Sequence, residues 1–192
     1  MPLIRAASRA ETSDDAPSAL TAVREAAHAG DAPKLAEILA GGHGLAREAA
    51  LTSLARLGGE ASIAALIEFI GAEDVSLRNA VIETLSSLGA PAIAFIEPVL
   101  SDADPNLRIY ALGVLENIDD PRAAALALRV ALGDPHVNVC VAAADVLARR
   151  GTLEMTAALQ TVPPRFPGHP FIRFAVRAAL QKMGQAADGA LG

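Results

Sequence analysis

The chain is poor in several residue types on which functional sites often depend. Its 192 residues include one cysteine and one tyrosine, no tryptophan, and only 3% aromatic residues overall. Because Cys140 is the single cysteine, an internal disulfide bond is excluded. The apolar half of the composition is instead mostly alanine with leucine, isoleucine and valine, a balance that favours closely packed helices over sheets. The composition therefore predicts an all-α protein.

Positive charge and long hydrophobic runs are also in short supply. The net charge is −6, and an acidic surface repels phosphate backbones, so nucleic acid is a poor candidate partner. The apolar stretches are amphipathic and shorter than the ~20 residues that span a bilayer. Residues 1–5 lack the apolar core of a signal peptide. The sequence thus favours a cytoplasmic protein with no membrane or nucleic-acid partner.

One stretch, from Asp104 to Arg122, shows how the chain is organised. Asp104 can cap a helix and Pro105 suits its first position, while Asp119-Asp120-Pro121 ends that helix and can open the next one. Apolar residues at intervals of three and four between them predict one buried helical face. These residues are Leu107, Ala111, Leu112, Leu115 and Ile118.

The same pattern recurs about 30 residues to either side. Upstream it begins with Asp74 and Arg78 and ends with Gly89-Ala90-Pro91, and downstream it begins again at Asp134-Pro135. The sequence therefore predicts an array of helix pairs over residues 16–184, flanked by disordered tails at 1–15 and 185–192. The expected parts are a cap pair at 16–40, repeats at 44–72, 74–102, 104–133 and 134–160, and a cap helix at 171–184.

These motifs resemble a known family of helical repeats. Asp104-Pro105-Asn106-Leu107-Arg108, followed by Ala111 and Asp119-Asp120-Pro121, is similar to the unit of HEAT repeat proteins, in particular the short PBS-lyase HEAT-like repeats. The resemblance implies a right-handed α-solenoid whose first helices form the convex side and whose second helices line the concave side. The family includes scaffolds, adaptors, chaperone-like lyase subunits and a few enzymes, so the resemblance predicts fold better than function.

Arginines recur at the start of the first helices, namely Arg47, Arg78, Arg108 and Arg173. Asp74 and Asp104 lie four residues before Arg78 and Arg108, one helical turn away, so each pair can form an ion pair. In a stacked array these arginines would form a structural ladder that binds loop carbonyls or an Asp of the neighbouring repeat. In the fourth repeat, either Asn138 or Cys140 occupies the arginine position.

Enzyme signatures are missing from the sequence. The His-Glu pairs of the related di-iron HEAT-like hydroxylases are absent, and no other His or Cys spacing suits a metal, so no cofactor is expected. Cys140 lies in an apolar run and is interpreted as a buried structural residue. The sequence also lacks a phosphate-binding loop and a nucleophile elbow.

The remaining candidates are residues suited to contact another protein. Aligning the second helices places Ser62 with Ala92 and Arg122, Ala65 with Phe95 and Ala125, and Phe69 with Val99 and Arg129. Aromatic residues and arginine are enriched in binding hot spots. The predicted partner-facing residues are therefore Phe69, Phe95, Arg122 and Arg129, and, in the proline-rich loop 161–170, Arg165 and Phe166.

The favoured hypothesis is a non-enzymatic, bacterial-type adaptor or scaffold that binds another protein through its concave face. The alternative is a phycobilin-lyase-like or chaperone-like subunit that handles a tetrapyrrole. An apolar cleft near Phe95, with Arg122 and Arg129 available for propionates, would suit that alternative.

Overall fold

A computed structural model describes residues 15–189 of the chain, with the surroundings of side chains given for residues 17–185. All regular structure in these residues is helical, and the all-α prediction is confirmed. Within the described range no single helix is long and apolar enough to span a membrane, although the bent pair Val75–Leu88 and Ala90–Val99 passes on length and composition. The chain forms two compact units, divided between Leu57 and Gly58.

The first unit contains three helices, α1 (Asp15–Ala29), α2 (Ala32–Gly41) and α3 (Gly44–Leu57). Asp31 caps α2, because its carboxylate accepts a hydrogen bond of 2.9 Å from the backbone N–H of Lys34. The core of this unit is aliphatic. Its most buried large side chains are Val23, Leu35, Leu39 and Leu54.

The second unit stacks helices of two kinds. First helices pack on first helices, and each second helix packs on the first helix of the following repeat. The first helices are α5 (Val75–Leu88), α7 (Pro105–Glu116), α9 (Val137–Arg150) and α11 (Pro170–Gly189). The second helices are α4 (Gly59–Ile67), α6 (Ile93–Val99), α8 (Pro121–Gly133) and α10 (Thr156–Leu159).

Aspartate residues set the starts of three helices in this unit. The carboxylate of Asp74 accepts from the N–H groups of Ser76 and Leu77, and those of Asp104 and Asp120 each accept from an N–H two residues on. Each such cap stabilises its helix, because it satisfies an N–H group that has no partner within the first turn. Behind the caps, the leucines that repeat along the first helices are fully buried, including Leu85, Leu112, Leu115 and Leu147.

Some expected boundaries differ from the observed ones. The expected repeat 44–72 is divided between the two units. The second helix of the repeat 134–160 is short and consists of a 3-10 turn, Leu153–Met155, and the single turn α10. Two prolines at 163 and 164 prevent it from continuing, since proline lacks the N–H that a helix interior needs.

The prediction of a disordered C-terminal tail from residue 185 is wrong for residues 185–189. The helix α11 does not end at Gly184 but continues to Gly189, so residues 185–189 are helical. A single glycine inside a helix costs only about 1 kcal/mol relative to alanine, and Gln185 and the alanines after it are good helix formers. The expected tail at 1–15 lies outside the described residues, except that Asp15 begins α1.

Candidate functional site

Three of the four repeated arginines are tied to the loops that precede their helices, whereas Arg173 has no such bond within the described residues. Arg47 donates to the carbonyl of Gly42 at 2.9 Å. Arg78 donates to the carbonyl of Ala72 at 2.7 Å, and Arg108 donates to that of Asp102 at 2.8 Å. Each guanidinium therefore satisfies a carbonyl five or six residues earlier, which fixes the turn into its helix.

Of the two acidic partners that the sequence allowed for Arg108, the structure shows the one in the neighbouring repeat. Arg108 does not pair with Asp104, one turn earlier, but forms two hydrogen bonds, of 2.7 and 3.0 Å, with Asp134 at the start of the following repeat. The carboxylate of Asp104 instead caps α7. Arg78 also reaches the following repeat, with its guanidinium 4.7 Å from the centre of the Tyr110 ring. These arginines therefore join neighbouring repeats.

The pair of Arg108 and Asp134 lies out of water, with the two residues only 6% and 8% exposed. His136 completes the group, because its backbone N–H donates to Asp134 at 2.8 Å and its ring Nδ1 lies 3.1 Å from a guanidinium nitrogen of Arg108. The hydrogen bond from Asp134 raises the pKa of Arg108 above its ordinary value, against the opposing effect of burial. A permanently charged, fully bonded pair at this depth is a structural joint.

Cys140 occupies the arginine position of the fourth repeat, which settles the choice between it and Asn138. Its Sγ lies 3.5 Å from the carbonyl of Asp134, six residues earlier in the chain. The guanidinium of Arg108 binds the equivalent carbonyl, that of Asp102, which is also six residues earlier. A thiol is a weak donor, and Arg165 reaches the carbonyl of Asp134 at 2.6 Å. Arg165 also donates to the carbonyl of Ala131 at 2.7 Å. Arg165, from the proline-rich turn, thus provides the hydrogen bond to this loop that no arginine of α9 provides.

Arg165 and Phe166, which we predicted to contact a partner, also make contacts within the chain. Two N–H groups of Arg165 are engaged with backbone carbonyls, although part of its side chain stays exposed. Phe166 is half-buried and lies beneath the same guanidinium, 5.1 Å from ring centre to Cζ, with His169 at its edge. The geometry gives both residues a role in holding the turn onto the fourth repeat.

Cys140 itself is wholly buried. Burial raises the pKa of its thiol, and the nearby charge of Arg165 only partly offsets that effect. A thiol with a raised pKa and no solvent access is a poor nucleophile, as the apolar run around it suggested.

Two arginines on α8 are exposed and held in place. Arg122 and Arg129 each have 58% of the side chain exposed. Arg122 forms two hydrogen bonds of 2.9 Å with Asp120, which raise its pKa and lower that of Asp120. Arg129 donates to Glu97 on the preceding second helix at 3.0 Å. Both guanidinium groups therefore keep defined positions at the surface of the second unit.

The phenylalanine candidates are partly covered. Phe95 on α6 and Phe69, in the turn after α4, are both half-buried. The row that placed Arg122 with Ser62 and Ala92 does not share one face, since Ser62 and Ala92 are buried and Arg122 is exposed. The second helices start at different offsets, as a 3-10 turn, Ala90–Ala92, precedes α6. Alignment by residue count alone could not show this.

The sequence interpretation missed Phe171 and Phe174, which are the most exposed phenylalanines of the described residues at 64% and 66%. Aligning the first helices rather than the second would have found them, because Phe171 follows the repeat-opening Pro170 as Asn106 follows Pro105.

The described residues contain no group of three or more His, Cys, Asp or Glu side chains that could hold a metal ion. The charged cleft beside Arg108 and Asp134 has a volume of about 530 Å³ and also includes Arg129 and His136. Its deepest charges, Arg108 and Asp134, are paired with each other.

Comparison with known proteins agrees with the helical architecture. No curated protein matches the chain. A family model of HEAT repeats matches residues 32–102 and, with some overlap, residues 93–162. Because the matched residues run from 32 to 162 and make up more than half of the sequence, the chain belongs to the HEAT repeat family.

Proposed function

We propose that this HEAT repeat protein is a non-enzymatic adaptor or scaffold that binds a partner protein through the second-helix face. We define this face by Phe69, Phe95, Arg122 and Arg129, all in the second unit. HEAT repeats commonly serve as protein-interaction modules, and the proposal assigns that role to these residues.

The observation that carries the proposal is the pair of exposed arginines on α8. Arg122 and Arg129 lie seven residues apart, which places them about two turns and roughly 10 Å apart on one side of the helix. Exposed ion pairs contribute little to stability, so folding gains little from either arginine. Their carboxylate partners do reduce the freedom of both guanidinium groups, which lowers the entropy cost of binding.

The residues around the arginines are suited to a protein surface. Ala125 is exposed between them and is small, so another backbone can approach closely. Phe95 adds a half-buried aromatic ring on the neighbouring helix α6. Interface hot spots combine such aromatic and arginine side chains.

The tetrapyrrole alternative has weaker support from the geometry. Propionates would need cationic side chains beside an apolar cleft. Arg122 and Arg129 already have carboxylate partners, and the cleft next to Arg129 is lined by the ion pair of Arg108 and Asp134. A protein partner, which can exchange or bridge such exposed pairs, fits this face better.

Affinity capture with a charge-matched control tests the proposal. The test variant is Arg122→Ala with Arg129→Ala. The control is Arg149→Ala with Arg150→Ala on the first helix α9, where Arg149 is also 58% exposed and paired with a glutamate, Glu116. We expect the partner retained by the wild type to be lost from the test variant and kept by the control, with unchanged helical circular dichroism in both. Equal retention by the two variants would place the binding surface elsewhere.

A further inference from the structure

The exposed side of α11 carries a pair of aromatic rings. Phe171 and Phe174 are 64% and 66% exposed, and their rings stack with centres 6.2 Å apart and planes at 28°. The helix does not need them for packing, because Ile172, Val176 and Ala179 on its other side are the buried residues. The two rings therefore expose apolar surface with no gain in folding.

The position of Phe171 is polar in the other first helices of the second unit. The equivalent residues are Ser76 in α5, Asn106 in α7 and, from the position of Cys140, Asn138 in α9, and all three are exposed. In the first unit the equivalent residue of α3 is Leu45, which is also exposed. Phe171 therefore departs from the polar pattern of its own unit.

Positive charge accompanies the rings. Arg173 and Arg177 are exposed on the same helix, and neither side chain has a hydrogen bond or ion pair within the described residues. The segment 155–187 contains four arginine or lysine residues and no aspartate or glutamate, in a chain whose net charge is −6. Of the four, Arg165 is bound to backbone carbonyls. Lys182 lies near Asp145, whose pKa is raised by burial and by Glu116 and is only partly offset by the charge of Lys182. The open charges are therefore the two arginines.

We propose that Phe171, Arg173, Phe174 and Arg177 form a docking surface for an acidic segment of a partner protein that carries an apolar side chain. The stacked rings provide the apolar contact, and the two open guanidinium groups attract carboxylates, with which arginine forms two-point hydrogen bonds. This surface shares no residue with the second-helix face, so either can fail without the other.

Other occupants fit the same observations less well. Residues 190–192 follow Gly189, about 22 Å along the helix from Phe174, and three residues reach only about 10 Å. A nucleic acid would require several phosphate contacts, whereas this surface offers two open arginines in an acidic chain. Charge complementarity therefore favours the acidic protein segment.

The probe is a display library of random peptides about 12 residues long, selected against the full chain. We expect the recovered peptides to be enriched in aspartate and glutamate around leucine or phenylalanine. One of them, labelled with a fluorophore, is then titrated by anisotropy against three variants. These are Phe171→Ser with Phe174→Asn, Arg173→Gln with Arg177→Gln, and the control Val75→Ser with Leu153→Ser, which removes two apolar side chains that are 55% and 52% exposed.

Binding should weaken at least about tenfold, or 1.4 kcal/mol, in each of the first two variants and stay unchanged in the control. Recovery of peptides without acidic enrichment, or equal binding by all variants, would overturn the proposal. Tighter binding of an oligothymidine than of the peptide, lost in the same variants, would replace it with a nucleic-acid surface. A dimer in size-exclusion chromatography that Phe171→Ser with Phe174→Asn abolishes would replace it with contact between two copies.

Discussion

At the scale of single residues, burial decides which charges matter for stability. The ion pair of Arg108 and Asp134 is almost wholly excluded from water, whereas that of Arg129 and Glu97 is about half exposed. Removing one member of a buried pair leaves the other charge without compensation, while water replaces a partner lost at the surface. Both pairs are hydrogen-bonded, but the loss of one member lowers the free energy of unfolding more in the buried pair than in the exposed one.

We therefore predict that Asp134→Asn lowers the free energy of unfolding by about 3–5 kcal/mol, because it strands the Arg108 charge. The matched control, Glu97→Gln, should cost no more than about 1 kcal/mol. Urea melts at neutral pH measure both. Similar losses in the two variants would show that the pair of Arg108 and Asp134 is not the joint described here.

Cys140 predicts a dependence of stability on pH. Because burial raises the pKa of the folded thiol above its ordinary value of 9.0, the unfolded chain ionises first as the pH rises. The stability that Cys140 contributes is therefore complete below the ordinary value and declines as the pH rises towards the folded value. Comparing wild type with Cys140→Ala in urea melts from about pH 7 to about pH 10, the wild type should lose its advantage progressively. A constant difference across that range would contradict the burial of the thiol.

At the scale of elements, the turn after α10 substitutes for a missing part of α9. In α7 the helix carries its own arginine, Arg108, to bind the preceding loop, but α9 carries Cys140 there, and Arg165 binds the loop from the other side. The proline-rich segment that interrupts the repeat period thus supplies the arginine that α9 lacks at the position of Cys140.

This predicts that Arg165→Ala costs about 1–3 kcal/mol, since it removes the donor to the carbonyl of Ala131 and leaves that of Asp134 with only the weak thiol donor of Cys140. Arg129→Ala serves as the comparison, with a loss below about 1 kcal/mol from an exposed pair. Thermal melts of the two variants would decide. A loss for Arg165→Ala no larger than for Arg129→Ala would return Arg165 to the contact candidates.

The leucines of the first helices give a second prediction at this scale. Leu115 in α7 is fully buried, while Leu20 in α1 is only half-buried. Leu115→Ala should cost about 2–5 kcal/mol through lost burial and the cavity left behind, and Leu20→Ala distinctly less. Urea melts of both variants test this. Equal costs would show that α1 is as tightly packed as the centre of the second unit.

The sequence predicted the elements better than the contacts between them. Asp74 and Asp104 were recognisable as helix starts because capping and helical periodicity are local, and the burial of Leu85 and Leu115 follows from the same period. The partner of Arg108 could not be found in this way, because Asp134 is 26 residues away and its approach depends on how the repeats stack. The hydrogen bonds of Arg165 could not be found for the same reason, because the carbonyls of Ala131 and Asp134 lie 34 and 31 residues away in the chain.

At the scale of the whole molecule, the second unit carries two surfaces that its own folding does not require. The second-helix face presents fixed, exposed arginines on α8, and α11 presents stacked phenylalanines with open arginines. Both lie on a helical framework that belongs to the HEAT repeat family. An interaction module needs no more chemistry than such surfaces provide.

The most direct test of the central claim is site-specific photo-crosslinking of a partner to the second-helix face. Benzoylphenylalanine is placed at Ala125, exposed between Arg122 and Arg129, or at Ser87, exposed on the first helix α5. We predict one crosslinked protein from Ala125, none from Ser87, and loss of the Ala125 product when Arg122→Ala and Arg129→Ala are added. The same product from both positions, or from Ser87 alone, would contradict binding through the second-helix face.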